Sequence, residues 1–352
     1  MPESFAFYRL PRARQYTRIV QTTGEPQRLL SLAALNGREG FVVAPFAVSA
    51  DEPVLLIRAD EQSVADVPRE EDALDDVATA DVKRESGDYH LDFLNFHAQL
   101  LGGTFRKIVL SRCCKEPAPA CTAEELFFRA CRRYPRMMVV LVSTPVSGTW
   151  LMATPEILLE GSGHDYRTIA LAGTMRLSGE QLRFDQQPQP LDSNAITWST
   201  KNIQEQRYVA TYLMETLEHF SNDISEEGPQ TVRAGNLVHL RSDFCFRLDD
   251  NGKLGRLLMA LHPTPAVCGL PKRQAFDFIC RNEQTPRSYY SGFVGPLSPS
   301  GETHLYVSLR CMKIDGDCCR LFAGGGLMPD SREEQEWAET EMKMETMRSL
   351  LY

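Results

Sequence analysis

The sequence predicts an α+β fold, and three observations carry that reading. Helical patterns are interleaved with short apolar runs of strand type. Some runs form hairpin-like pairs, such as Met137 to Thr144 and Trp150 to Thr154 around Pro145-Val146-Ser147-Gly148. No segment repeats another, so a solenoid or other repeat architecture is excluded.

The elements follow in chain order. Phe5 to Tyr8, Phe41 to Ala44 and Val54 to Ile57 read as strands separated by polar turns. Ala59 to Tyr89 is acidic and poor in aromatics, and reads as an exposed loop. Tyr89 to Leu101 forms a short helix leading into a strand near Lys107. Thr122 to Arg133 is a second helix, with Thr122 as N-cap and Glu125 completing a capping box. Glu205 to Phe220 is the clearest helix: Tyr208, Tyr212, Leu213, Leu217 and Phe220 recur at helical spacing. Leu305 to Cys311 and Arg320 to Ala323 return to strands.

Composition narrows the function classes. A chain of 352 residues with 43% hydrophobic and 24% charged residues can bury a large core. The net charge of −9 disfavours nucleic acid and anionic membrane as partners. An anionic substrate must therefore meet a local basic cluster. The ten cysteines include no C-x-x-C pair, and no disulfide framework is visible. There is no signal peptide pattern at the start and no apolar run of about 20 residues, the length a membrane span needs. The expectation is a reduced, cytoplasmic protein.

Two blocks place a charge at one end of an apolar strand-like run. Lys107 lies in Phe105-Arg106-Lys107-Ile108-Val109-Leu110-Ser111-Arg112, and Glu156 in Ala153-Thr154-Pro155-Glu156-Ile157-Leu158-Leu159. A charge in such a place must be solvated, paired or used. By residue type alone, both also read as an exposed strand lysine and a turn carboxylate. Six more blocks follow in order: Ala170-Leu171-Ala172-Gly173-Thr174, Lys201-Asn202-Ile203-Gln204-Glu205, His262-Pro263-Thr264-Pro265-Ala266, Arg310-Cys311-Met312-Lys313, Phe322-Ala323-Gly324-Gly325-Gly326 and Glu336-Trp337-Ala338-Glu339-Thr340. Together these eight blocks resemble the chorismate-utilising enzymes, over about residues 100 to 345. Within that family the sequence is most similar to the isochorismate synthases.

The resemblance implies one large α+β fold of the anthranilate synthase component I type, with antiparallel sheets packed together and helices outside. It implies a single catalytic domain over 1–352, with 1–95 as a variable N-terminal portion and 96–352 as the chorismate-binding core. It also assigns roles. Lys107 is the base that activates water, and Glu156 the acid for the departing hydroxyl. Glu205 and Glu339 are Mg²⁺ ligands, with Glu336 acting directly or through water; carboxylate oxygens suit that ion. Arg310, Lys343 and the run Gly324, Gly325 and Gly326 bind substrate carboxylates. Ala172, Gly173 and Thr174 line the ring side of the pocket, with His239 nearby. Taken alone, Glu336 and Glu339 are equally a solvated helix face, the glycine run a tight turn or strand end, and His239 a satisfied core histidine. His262 to Pro265 reads as architectural.

Family comparison sharpens the expected reaction. Anthranilate synthases typically carry Gln at the position of Lys107, and aminodeoxychorismate synthases often carry Lys at that of Ala172. Lys107 with Ala172 therefore implies water as the nucleophile and isochorismate as product. The expected setting is menaquinone biosynthesis; a siderophore-pathway role and a salicylate synthase that also eliminates pyruvate are the alternatives. The protein is expected to act as a monomer or weak homodimer, with no amidotransferase subunit. Departures from the pattern are Gln206 where His is frequent, Cys268 where Ser or Gly is common, and an irregular stretch from Phe184 to Ser199.

Overall fold

Two nine-stranded sheets pack face to face, and helices cover their outer surfaces. The computed structural model describes residues 4–69, 87–177, 196–234 and 237–352. The first sheet contains β1 (Ser4–Arg9), β2 (Gln15–Gln21), β6 (Glu61–Asp66), β7 (Lys107–Pro117) and β8 (Met138–Thr144). It is completed by β9 (Gly148–Thr154), β14 (Gly269–Leu270), β17 (Cys311–Asp315) and β18 (Cys318–Leu327). Its spatial order is β14-β7-β18-β17-β9-β8-β1-β2-β6. The second sheet contains β3 (Gln27–Leu29), β4 (Gly40–Ala44), β5 (Val54–Ile57), β10 (Ile157–Ser162) and β11 (Asp165–Arg176). It also has β12 (Ile224–Ala234), β13 (Leu237–Arg247), β15 (Phe293–Leu297) and β16 (Glu302–Val307), in the order β12-β13-β11-β10-β16-β15-β4-β5-β3. Among the described residues the ladders are antiparallel.

The expected α+β architecture is the observed one. Ala6, Val140, Trp150, Met152 and Phe322 of the first sheet interdigitate with Phe41, Val43, Ile57, Ile169 and Tyr306 of the second. Burying a large side chain of this kind contributes about 1.5–3 kcal/mol. Six α-helices are described: α1 (Gly87–Leu101), α2 (Ala123–Arg133), α3 (Thr200–Leu217), α4 (Leu254–Leu261), α5 (Lys272–Asn282) and α6 (Glu333–Arg348). Helices α3 and α4 cover the outer face of the second sheet, and α2 and α6 that of the first. None of these helices is long and apolar enough to cross a membrane.

The local signals explain most elements. The Thr122 hydroxyl accepts the Glu125 N–H, and Glu125 Oε2 accepts the Thr122 N–H at 2.7 Å, so α2 starts on the expected capping box. Helix α3 starts earlier than expected, because the Ser199 side chain caps it by accepting the Asn202 N–H at 3.2 Å. Its inward face is Gln206, Val209, Ala210, Leu213 and Leu217, while Tyr212 reaches sideways to donate to the Ala260 carbonyl at 3.1 Å.

Two expectations need correction. Part of the acidic segment is the strand β6, whose backbone pairs with β2 although all its residues are exposed. Its polar composition hid an edge strand, a common way of blunting a sheet edge. Residues 70–86 of that segment lie outside the described residues, as does most of the irregular stretch from Phe184. The expected strand Leu305 to Cys311 is broken at Ser308 to Arg310, where the chain leaves β16 in the second sheet and enters β17 in the first. Arg310 there has φ +46°, a left-handed conformation that ends extended structure.

Candidate active site

Two chain crossings between the sheets carry two of the expected site residues. Strand β9 ends at Thr154 and β10 begins at Ile157, so Pro155 and Glu156 bridge the sheets. Arg310 sits at the return crossing. Both side chains are thus delivered to the space between the sheets. A cavity opens there, enclosing ≈ 620 Å³ of empty space with its mouth included. Its walls include Glu156, Ala172, Gly173, Thr174, Glu205, His239, Arg310, Gly324, Gly326 and Lys343. These sequence-predicted residues converge from β11, β13, β18, α3, α6 and both crossings, whereas Lys107, Gly325, Glu336 and Glu339 are not among its walls.

Glu156 is 2% exposed. Burial pushes its carboxyl up to about 7, against the lowering pull of Lys107, a Thr264 hydrogen bond, Lys343 and Arg310. The Thr264 hydroxyl donates to Glu156 Oε1 at 3.3 Å. The block His262 to Pro265 is thus more than architectural, because its threonine touches the carboxyl. His262 does hold the framework, with Nε2 at 3.1 Å from the Pro45 carbonyl.

Lys107 opens β7 and is fully buried. Its ammonium forms an ion pair with Glu205 Oε1 at 2.9 Å and makes no well-directed hydrogen bond. Burial pushes Glu205 up, but the charge of Lys107 at contact distance, with Lys201 and Lys343, outweighs it and holds the carboxyl below its usual range. Two buried carboxylates in one site are therefore driven apart: Glu156 towards the neutral acid, Glu205 towards the anion. Such divergence is how one site separates an acid from a permanently charged group.

The strand behind Lys107 is pinned by a buried ion pair. Arg287 Nε donates to Glu283 Oε2 at 2.6 Å, with both side chains 2% exposed. Arg287 also donates to the Val267 and Val109 carbonyls at 2.7 and 2.8 Å, and Glu283 Oε1 accepts the Ser111 N–H at 2.7 Å. Every polar group of this pair is used, which is what makes burying it tolerable.

Arg310 Nη2 lies 3.0 Å from His239 Nε2, and His239 Nδ1 lies 3.0 Å from the Gly173 carbonyl. A guanidinium can only donate, so Nε2 accepts and Nδ1 carries the proton that binds the carbonyl. Burial, Arg310 and Lys343 hold the imidazole well below its usual range, so it is neutral. Burial pulls Arg310 down only to about 10, and it stays charged at neutral pH. Gly173 has φ +72° at a bulge between β11 and β13, and a Cβ there would lie 3.1 Å from Asn202 Cβ of α3.

The glycine run is the end of β18, and Gly324 and Gly326 line the cavity. Gly324, Gly325 and Gly326 pair with Ser111, Leu110 and Val109 of β7. A Cβ at Gly324 would lie 2.8 Å from the Tyr290 hydroxyl, and one at Gly325 would lie 3.1 Å from Glu336 Oε2. One at Gly326 would clash with Glu205 Oε1 and lie 2.8 Å from Lys107 Cε. The run is glycine because side chains from three directions close on it.

The three expected metal ligands are each paired with a lysine. Glu205 holds Lys107; Glu339 holds Lys343 at 2.7 Å; Glu336 holds Lys201. Lys343 also donates to the Gly324 carbonyl at 2.8 Å. Among the described residues, no three acidic, histidine or cysteine side chains are gathered as a ready metal site. The donors nevertheless fit a hard cation. All are carboxylates, and Glu336 Oε2 is buried without a well-directed hydrogen bond. Burial and the neighbouring Glu339 raise the Glu336 carboxyl, against Lys201 and the Ser331 hydroxyl.

Sequence reasoning missed several site residues. Tyr290 lines the cavity, stacked on Phe322 at 5.6 Å between ring centroids. Val109, Leu171, Val267 and Leu309 add apolar walls. Lys201 stands in a block that was recognised, but its pairing across to α6 carries no local signal.

A family description, chorismate binding enzyme, matches residues 44–352. The chain belongs to that family. It is 32% identical over 201 residues to the isochorismate synthase EntC of Escherichia coli (strain K12), covering 57% of this chain and 50% of that protein. It is 30% identical over 259 residues to the isochorismate synthase DhbC of Bacillus subtilis (strain 168), covering 71% and 64%. The chain spans about half the length of the first of these relatives. Among solved structures, MenF, the menaquinone-specific isochorismate synthase from Escherichia coli, superposes with a TM-score of 0.78 at 23% identity. That match covers 100% of this chain and 89% of the other. Anthranilate synthase component I from Streptococcus pneumoniae TIGR4 superposes with a TM-score of 0.62 at 19% identity, covering 74% and 57%. These likenesses establish the fold.

Proposed function

We propose that this protein is an isochorismate synthase, which exchanges a hydroxyl across the ring of chorismate. One observation carries the proposal. The cavity sets an acid held near neutrality, Glu156, in the field of a buried lysine, Lys107, while Ala172 offers no nucleophile of its own. Water must then attack C2 as the C4 hydroxyl leaves and the double bonds shift. Lys107, in its neutral form, takes the proton of the attacking water. Protonated Glu156 gives its proton to the departing hydroxyl, which leaves as water. The two residues regain their starting states by net proton transfer from Lys107 to Glu156.

Arg310 and Lys343 supply positive charge for the substrate carboxylates, and His239 fixes the Arg310 fork. Mg²⁺ would be held by Glu205 and Glu339, with Glu336 directly or through water. When bound, it would neutralise and orient the ring carboxylate. The chain is read as one catalytic domain: β1 of the N-terminal portion pairs with β8, and β4 pairs with β15. The reading carries with it a cytoplasmic monomer or weak homodimer without an amidotransferase subunit, serving menaquinone synthesis.

The test is purified protein with chorismate and Mg²⁺, with products resolved. Isochorismate is expected, with turnover abolished by EDTA and restored by Mg²⁺. Salicylate with pyruvate as the main product would replace this reading by that of a salicylate synthase. Full turnover in metal-free buffer would remove the metal from it. A strain needing isochorismate for menaquinone, rescued by this chain, supports the pathway; rescue of siderophore production alone overturns it.

A further inference from the structure

Lys201 belongs to no role assigned so far. It is the second residue of α3, one helical turn before Glu205, so both project towards the same region. Its ammonium pairs with Glu336 Oε1 on α6. Lys201 is 22% exposed at its side chain and Glu336 only 1%. The pairs cross: α3 sends Lys201 to a carboxylate of α6, and Glu205 to the lysine of β7.

The three lysine–carboxylate pairs are not equivalent. Lys107 has a chemical task, and Lys343 also binds the Gly324 carbonyl. The Lys201 ammonium has Glu336 as its hydrogen-bond partner. Glu336 keeps its second oxygen, Oε2, buried without a well-directed hydrogen bond, next to the bare Cα of Gly325. A buried carboxylate oxygen without a well-directed donor is costly, so the site has capacity for one more positive or proton-donating group. The geometry points to Lys201 as a built-in stand-in for the divalent cation: its ammonium neutralises Glu336 in the metal-free protein and competes with the metal for the same carboxylate. This rests on the metal reading proposed above. An ammonium on Oε1 and a divalent cation on Oε2 of one buried carboxylate would lie only a few ångströms apart and repel each other strongly. Metal entry therefore displaces the ammonium, and Lys201 sets how weakly the empty enzyme holds its metal.

The opposite role is that Lys201 merely props α3 against α6. The two make opposite predictions for metal affinity. Mn²⁺ binding without substrate, read from the free-ion signal in electron paramagnetic resonance, separates them. Lys201→Met should bind Mn²⁺ about tenfold or more tightly than the wild type, and Lys201→Arg should stay close to wild type. Unchanged or weaker binding by a Lys201→Met protein that melts normally overturns the inference. Should Lys201→Met not fold, a crystal structure of the wild type with Mn²⁺ decides instead: the Lys201 ammonium should have left Glu336, and an intact pair beside bound metal overturns it. If neither wild type nor variants bind Mn²⁺, the metal reading itself fails, a result distinct from binding that ignores Lys201.

Discussion

Glu156 shows how burial makes an acid. It is a carboxyl at a crossing between sheets with one hydroxyl donor, and burial moves its pKa up to about 7. In the proposed reaction the working form is the protonated one, so the sign follows: activity depending on it is full below about pH 7 and falls roughly tenfold per pH unit above it. Glu156→Gln should lower kcat by about 10²–10⁴-fold with little change in KM, and should remove that alkaline limb. A rise in KM alone, with the limb intact, would make Glu156 a binding group. Lys107 is tested differently, because its loss also strips Glu205 of its counter-charge. Lys107→Gln should abolish hydration to a similar degree while chorismate still binds by calorimetry. It should also lower thermal stability, since removing one partner of a buried pair costs about 3–5 kcal/mol. Wild-type turnover by Lys107→Gln would show that another group activates the water.

At the scale of the element, β18 is where backbone bareness becomes function. A strand normally gains from side chains on both faces, and three glycines weaken it. Here the gain lies elsewhere: Tyr290, Glu336, and the Lys107–Glu205 pair approach the backbone in successive steps. The Gly326 backbone is extended, so alanine there meets no conformational penalty, only a steric one. Gly326→Ala should therefore fold and melt close to wild type but lose about 10²-fold or more in kcat/KM, because an ångström-scale displacement of reacting groups has that effect. Equal loss of stability and activity would mean that the clash is spread through the sheet. Helix α3 makes the same point from the other side: its N-terminus sits against the Gly173 bulge, so Glu205 is aimed by backbone packing.

At the scale of the whole molecule, stability also rests on polar groups that do not line the cavity. A second polar cluster lies on the second sheet, where Glu160 Oε1 accepts from the Tyr306 hydroxyl at 2.9 Å and pairs with His304 Nδ1 at 2.7 Å. Arg167 Nε donates to Glu160 Oε2 at 2.8 Å. Burial raises the Glu160 carboxyl, but His304 and Arg167 overcome it and bring it down to about 2. Its folded value is below its unfolded one. The cluster's contribution is thus fully present above about pH 4.5 and is lost as pH falls towards 2. Melting temperatures between pH 7 and 3 should show this as an acid limb that Glu160→Gln flattens, at the cost of a lower plateau. An identical limb in the variant would assign acid sensitivity to other carboxylates.

The sequence by itself determined the fold class, the order of most elements and many of the residues that meet at the cavity. Those features rest on local causes: periodic burial in α3, a capping box at Thr122, and short motifs such as the Lys107 and Glu156 blocks. It was blind where the cause is contact between distant segments. The strand Glu61–Asp66 exists because β2 offers it a ladder, not because of its own residues. Thr264 meets Glu156 across 108 positions, and Lys201 meets Glu336 across 135. The tertiary structure also decided why three glycines follow one another, since only the packed molecule shows what each missing side chain leaves room for. Local chemistry is written residue by residue, whereas burial and pairing, which tune that chemistry, arise only when the two sheets close.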